Sequence, residues 1–185
     1  MDAHTGSETN MRLARYWLED CLLTHEHCAL AHDPTWPPVL PSRVVDVSDL
    51  LKPRLLATHG IQDKYLTLSY CWGQGKRLLT TSMSYDRFQQ ELPLDDRLPS
   101  TFRDAFKVTK ALGYNYIWID ALCILQDDPG DVRREMSRMG DIYRRSAITI
   151  FGSNGDSTDS GLFTSRDRVT HPSVQSLWRI FCAND

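Results

Sequence analysis

Apolar residues recur at helical spacing from Asn10 to Leu23, where Met11, Leu13, Ala14, Trp17, Leu18, Cys21 and Leu22 share one stripe. Asn10 reads as the N-cap of this helix. Four prolines between Asp33 and Ser42 predict an extended connector. Arg43–Val47 reads as a short strand. Tyr65–Cys71 alternates, with Leu66, Leu68 and Tyr70 on one face. A weak helix is predicted over Ser84–Glu91 and a better one over Phe102–Leu112. Ser100 or Thr101 would cap the latter, Thr101 with Asp104 approximating a capping box. Gly113 stands at its C′ stop. The apolar strand Tyr116–Ile119 follows and ends abruptly in Asp120. A helix is predicted from about Asp131 to Arg145, then a β-rich run, Ala147–Phe151, and a polar loop over Gly152–Gly161.

Strands and helices therefore alternate, and runs apolar on both faces predict α/β architecture with a mostly parallel sheet flanked by helices. Residues 1–9 are polar and expected to be disordered. Residues 10–41 form the helix and connector, 42–168 the domain, and 169–185 read as the start of a truncated C-terminal region.

At 185 residues the chain suffices for one domain with a real core. A net charge of −3 gives no support to nucleic-acid binding by phosphate neutralisation. No apolar run approaches a membrane span, and the N-terminus lacks signal-peptide character, so a cytoplasmic location is expected. Five cysteines, an odd number with some in apolar runs, fit buried reduced thiols better than a disulfide framework.

Two acids attract attention. Projected at about 100° per residue with Val132 at zero, Met136, Met139, Ile142 and Tyr143 span roughly −80° to +40°, and Glu135 falls near −60°, inside the stripe. A carboxylate there is paired, neutral or facing a cleft, unless it snorkels out at the stripe edge. Asp120, at the carboxyl end of a strand, either points into a ligand crevice or forms the turn of the following segment. If both acids line one crevice, one can hold a ribose hydroxyl and the other stabilise an oxocarbenium ion, chemistry that needs no metal. The stretch Trp72-Gly73-Gln74-Gly75-Lys76 reads first as a turn and second as a phosphate contact; it lacks Walker spacing. Cys21, His25, His27 and Cys28 have no standard finger spacing and read as a helix end, so no metal is expected. Cys123 reads as a packed core thiol.

Four ordered blocks carry a family resemblance. Leu66-Thr-Leu-Ser-Tyr-Cys-Trp-Gly73 resembles the "LSYxWG" signature of the fungal heterokaryon-incompatibility (HET) domain. Leu98-Pro-Ser-Thr-Phe-Arg-Asp-Ala105 resembles its "LPxTixDA" segment. Tyr116-Ile-Trp-Ile-Asp-Ala-Leu-Cys-Ile-Leu-Gln-Asp127 resembles its "YlWiDslCIiQdd" block. Glu135-Met136, Met139, Ile142-Tyr143 and Ala147-Ile-Thr-Ile150 resemble its tail. The match spans about residues 12–168. It implies a role in non-self recognition and programmed cell death, a form of innate immunity, through an assembly-driven signalling module that associates with itself or with partner signalling domains. It also implies a distant relation to Toll/interleukin-1 receptor (TIR) domains and their flavodoxin-like sheet. Some TIR domains cleave NAD through a helix glutamate entered by a "W-x-x-E"-like turn. Here that turn reads Asp131-Val132-Arg133-Arg134-Glu135, with Val132 where many HET domains have Trp. The alternative function is thus an assembly-activated NAD glycohydrolase, with no cofactor and NAD as substrate. Glu135 and Asp120 are its catalytic candidates, and Ser69, Trp72 and Gly73 its ligand-binding ones.

Overall fold

The computed structural model describes residues 2–26, 28, 37–74, 77–153 and 155–165. Among the described residues the chain forms helix α1 (Glu8–Thr24), strands β1 (Arg43–Asp46), β2 (Arg54–Ala57) and β3 (Leu66–Ser69), helices α2 (Tyr85–Gln90) and α3 (Ser100–Ala111), strand β4 (Tyr116–Trp118), the one-turn helix α4 (Asp120–Cys123), helix α5 (Pro129–Arg145) and strand β5 (Ile148–Phe151). The strands join one five-stranded sheet in the order β2-β1-β4-β3-β5.

The four anticipated strands do share this sheet, but the sheet is mixed. β3 runs parallel to β4 and β5, while β1 pairs antiparallel with both β2 and β4. The expected parallel character therefore belongs to the β4-β3-β5 half alone. For β2 the reason is local: it is joined to β1 by only seven residues, and a connection that short can only return the chain antiparallel. The antiparallel pairing of β1 with β4 brings the first residue of β1, Arg43, to the end of the sheet where β3 and β4 finish, since Val45 lies opposite Ile117.

Different helices cover the two faces. Trp118, fully buried, packs edge-on against Tyr143 of α5, with ring centroids 5.7 Å apart. On the same face Tyr65 donates its hydroxyl to the Ile142 carbonyl at 2.7 Å. The other face meets α3: Tyr70, in line with Leu66 and Leu68, packs edge-on against Phe102 at 5.2 Å. Leu66, Leu68, Ile117, Phe102, Ala105 and Phe106 are buried there.

Helix boundaries depart from expectation where side chains found other partners. Ser7, not Asn10, caps α1; its Oγ accepts the Asn10 N–H at 3.3 Å. Residues ahead of it, expected to be disordered, make contacts: Thr5 donates its N–H to the Thr164 carbonyl at 2.9 Å, and His4 bridges Ser165. α3 begins at Ser100 with Pro99 at the cap position and no side-chain cap bond. Thr101 and Asp104 do not form a box. Their oxygens accept the N–H groups of Gly161 (3.2 Å) and Leu162 (3.0 Å) and tie down the loop after β5. Gly113 does stop α3, at φ +91°. Asp104→Ala is expected to lower stability by about 1–2 kcal/mol, the usual cost of orphaning a partly buried donor. The urea midpoint checks this, and proteolysis near residue 162 should accelerate with it.

Candidate functional site

Asp120 opens α4 one residue after β4, and its carboxylate accepts three hydrogen bonds. Oδ1 accepts the Tyr70 hydroxyl at 2.9 Å and the Ala121 N–H at 2.7 Å; Oδ2 accepts the Trp72 indole N–H at 2.8 Å. Both aromatic donors come from the segment that follows β3, the neighbouring parallel strand. The strand-end acid and the Leu66–Gly73 block thus meet at the carboxyl edge of the parallel half, as topology demands of a crevice there. Asp120 forms the turn into α4 through its bond to the Ala121 N–H. Ser69 stands half-buried at the same edge, its carbonyl accepting the Gly152 N–H at 2.8 Å. Gly73 has φ +57°, and a Cβ there would come within 2.7 Å of Ser157 Cα, so the position is fixed by the approach of the 156–157 backbone. Arg77 stacks over Trp72 at 5.9 Å and donates to the Gly73 carbonyl at 3.1 Å. Gly75 and Lys76 lie outside the described residues.

Glu135 sits in a second cluster. It is 2% exposed and lies at the centre of the buried face of α5, which comprises Asp131, Glu135 and Ile142. Met136, anticipated inside the stripe, is 59% exposed instead. The buried face is centred near Glu135 itself, about 100° from Met136. Snorkelling is therefore ruled out for Glu135. Its counter-charge is Arg43, whose Nη2 lies 4.0 Å from Oε1, while Oε2 is buried without a hydrogen-bond partner.

Arg43 organises this cluster. Its Nε–H donates to the Cys123 carbonyl at 2.6 Å, and Nη2 forms a very close ion pair with Asp131. Asp131 also accepts the Leu125 N–H at 2.8 Å and pairs with Arg134 at 2.7 Å. Charges buried this deeply persist only with such a set of partners. Asp128 caps α5 by accepting the Gly130 N–H, which seats Asp131 in the first turn.

α4 joins the two clusters. Asp120 is its first residue, the carbonyl of its last residue holds Arg43, and both Asp120 and Glu135 bear electrostatically on the Cys123 thiol. Burial above all raises that thiol to about 12, with the two acids adding to it, so Cys123 is a packed core thiol. Burial and then the Asp120 charge raise Tyr143 to about 12, and burial together with Asp120 raises Tyr70 as well. These groups stay neutral in the fold while their unfolded counterparts ionise near 9 and 10. Their contribution is fully present below pH 9 and is lost as pH rises through about 12. The urea midpoint is thus expected to fall steadily above pH 9; a flat profile would show these groups to be solvated.

Arg43, Asp131, Tyr70 and Tyr143 complete the site but were not singled out from sequence. Tyr70 stands inside the Leu66–Gly73 block and was the most readable of them. The Arg43–Asp131 pair joins residues 88 apart, which no local pattern encodes. Far from this edge, Cys21, His25 and Cys28 come together within 4.8 Å of one another, while His27 lies outside the described residues. Cys28 is disulfide-bonded, contrary to the expectation of reduced thiols; Cys71 and Cys123 are reduced.

A family model described as heterokaryon incompatibility protein (HET) matches residues 65–180, well over half of the chain. No curated protein matches, and no solved structure does. The matched span contains Ser69, Tyr70, Trp72, Asp120, Asp131 and Glu135, and leaves Arg43 outside it. The chain belongs to the heterokaryon incompatibility family.

Proposed function

We propose that this member of the heterokaryon incompatibility family is a cytoplasmic, assembly-driven signalling module of fungal non-self recognition, whose self-association or docking to a partner signalling domain sets off programmed cell death. The observation that carries this reading is the closed state of both candidate acids. Each Asp120 oxygen already holds a donor from the Leu66–Gly73 segment, and Glu135 is buried beneath α5. In the isolated chain each candidate carboxylate is turned to protein groups, Asp120 to its three donors and Glu135 to Arg43, an arrangement that suits a module acting by assembly.

One observation favours the second reading, a TIR-like NAD glycohydrolase activated by assembly. Among the described residues Glu135 Oε2 is a buried acceptor without a partner, and its other oxygen lies 4.0 Å from Arg43, at the end of the sheet where β3 and β4 finish. Leaving such an acceptor unsatisfied costs on the order of 1–3 kcal/mol, and functional sites are where such costs are retained. In this reading assembly would part the Trp72 and Tyr70 donors from Asp120, freeing it for a ribose hydroxyl. Glu135 would then face the forming oxocarbenium ion.

The two readings separate in one sample. The purified chain is concentrated with NAD, nicotinamide release is followed, and sedimentation is recorded on the same material. Concentration-dependent complexes without nicotinamide support the signalling module alone. Complexes with nicotinamide support the glycohydrolase as its output. A chain that stays monomeric at all concentrations and with its partner domain contradicts both.

A further inference from the structure

Independently of the sheet-edge site, the C-terminal end of α1 gathers three soft-metal ligands. Cys21 and His25 lie four residues apart and so share one helix face. Cys21 Sγ is 3.2 Å from His25 Nδ1 and 3.4 Å from Cys28 Sγ, and all three ligand atoms lie within 4.8 Å of one another. Tetrahedral zinc, with Zn–S near 2.3 Å and Zn–N near 2.0–2.1 Å, spaces its ligand atoms by about 3.6–3.8 Å. The two edges at Cys21 fall a few tenths of an ångström short of that, and the His25–Cys28 edge is at most 4.8 Å. The His25 N–H donates to the Cys21 carbonyl at 3.1 Å, which holds these two ligands on one turn. Cys28 is buried and His25 exposed, so the cluster has a protein-facing side and an open side where water can complete the coordination.

We propose that, in the reduced chain, Cys21, His25 and Cys28 bind a soft divalent cation of the zinc class. Cys28 is disulfide-bonded here, so the site is conditional on reduction. A dithiol reductant would exchange with that bond, becoming a disulfide itself and leaving two thiols, Cys28 among them. Metal binding then releases the thiol protons and ties the end of α1 to the chain that follows it. A buried thiol and an exposed imidazole that merely pack and hydrogen-bond would show no such metal dependence.

Cobalt(II) is the probe. The full chain is reduced with a phosphine, stripped with a chelator and titrated with Co²⁺, then with Zn²⁺. One equivalent of Co²⁺ is expected to give thiolate charge-transfer and tetrahedral ligand-field bands, which Zn²⁺ abolishes. Cys21→Ser should weaken binding by at least about 100-fold, beyond the loss of an outer-shell partner. His25→Ala, at an exposed position that leaves the fold intact, should weaken it by at least about 10-fold and carries the test if Cys21→Ser fails to fold. Cys71→Ser should bind like the unaltered chain. Bands without thiolate character, undiminished binding in His25→Ala, or loss of binding in Cys71→Ser would overturn the site. Equal binding by the oxidised chain would overturn its dependence on reduction.

Discussion

Arg43→Met is expected to remove about 3–5 kcal/mol of stability, the usual consequence of stripping one partner from a buried ion cluster. Set against the roughly 5–15 kcal/mol that holds a domain together, this leaves the chain near its unfolding threshold. The substitution keeps much of the side-chain volume, so packing is not what fails. What fails is charge compensation: among the described residues Asp131 keeps the exposed Arg134 and the Leu125 N–H, Glu135 loses the cation beside it, and the Cys123 carbonyl loses its donor. Adding Asp131→Asn should recover part of the loss, because the amide oxygen still accepts the Leu125 N–H and carries no charge. The pair is then coupled by about 0.5–3 kcal/mol, as residues in one network are. Urea midpoints of the two single variants and the double variant give this cycle directly. A loss in Arg43→Met below about 1 kcal/mol, with an unchanged slope, would mean that the cluster is solvated and weak.

Glu135→Gln is expected to do the opposite: fold normally and lose function. The amide keeps the size of the carboxylate and the position of one acceptor. It removes a charge that lies 4.0 Å from Arg43, while the close Asp131 pair remains to compensate that cation. Replacing a buried, incompletely partnered charge by a neutral isostere is near neutral for stability. Cell death triggered by the chain should nevertheless be abolished. A folded, inactive Gln variant that still assembles identifies Glu135 with an enzymatic output; one that no longer assembles identifies it with the signalling surface. A folded variant with full death activity would make Glu135 a structural acid only, and the glycohydrolase reading would fall with it.

The difference between these two neighbours also shows what local sequence encodes. Glu135 was legible because an acid in an apolar stripe contradicts its own surroundings. Arg43 was not, since an arginine at a strand start looks like an ordinary solvated end. Its burial comes from the reversal of β1, and periodicity carries no information on strand direction. The same blindness hid the mixed character of the sheet. β2 was missed because Arg54-Leu-Leu-Ala has neither alternation nor length; it becomes a strand by pairing with β1. Met136 and the Thr101–Asp104 pair were misassigned for a related reason. Local rules placed them by the nearest available pattern, whereas tertiary contacts recentred the buried face of α5 and turned two cap residues toward the Gly161–Leu162 loop. By contrast, the strand Tyr116–Trp118 and the stop at Gly113 follow from short-range signals that agree with one another.

If assembly, and not mere presence, switches this chain on as proposed, an imposed dimer should suffice to kill. The full chain is expressed in fungal cells as a fusion to a domain dimerised by a small molecule, and viable cells are counted with and without that molecule at matched protein levels. Survival is expected without the dimeriser and death with it. Death at equal rates in both conditions, or survival in both with the folded, assembled protein present, would contradict the proposal.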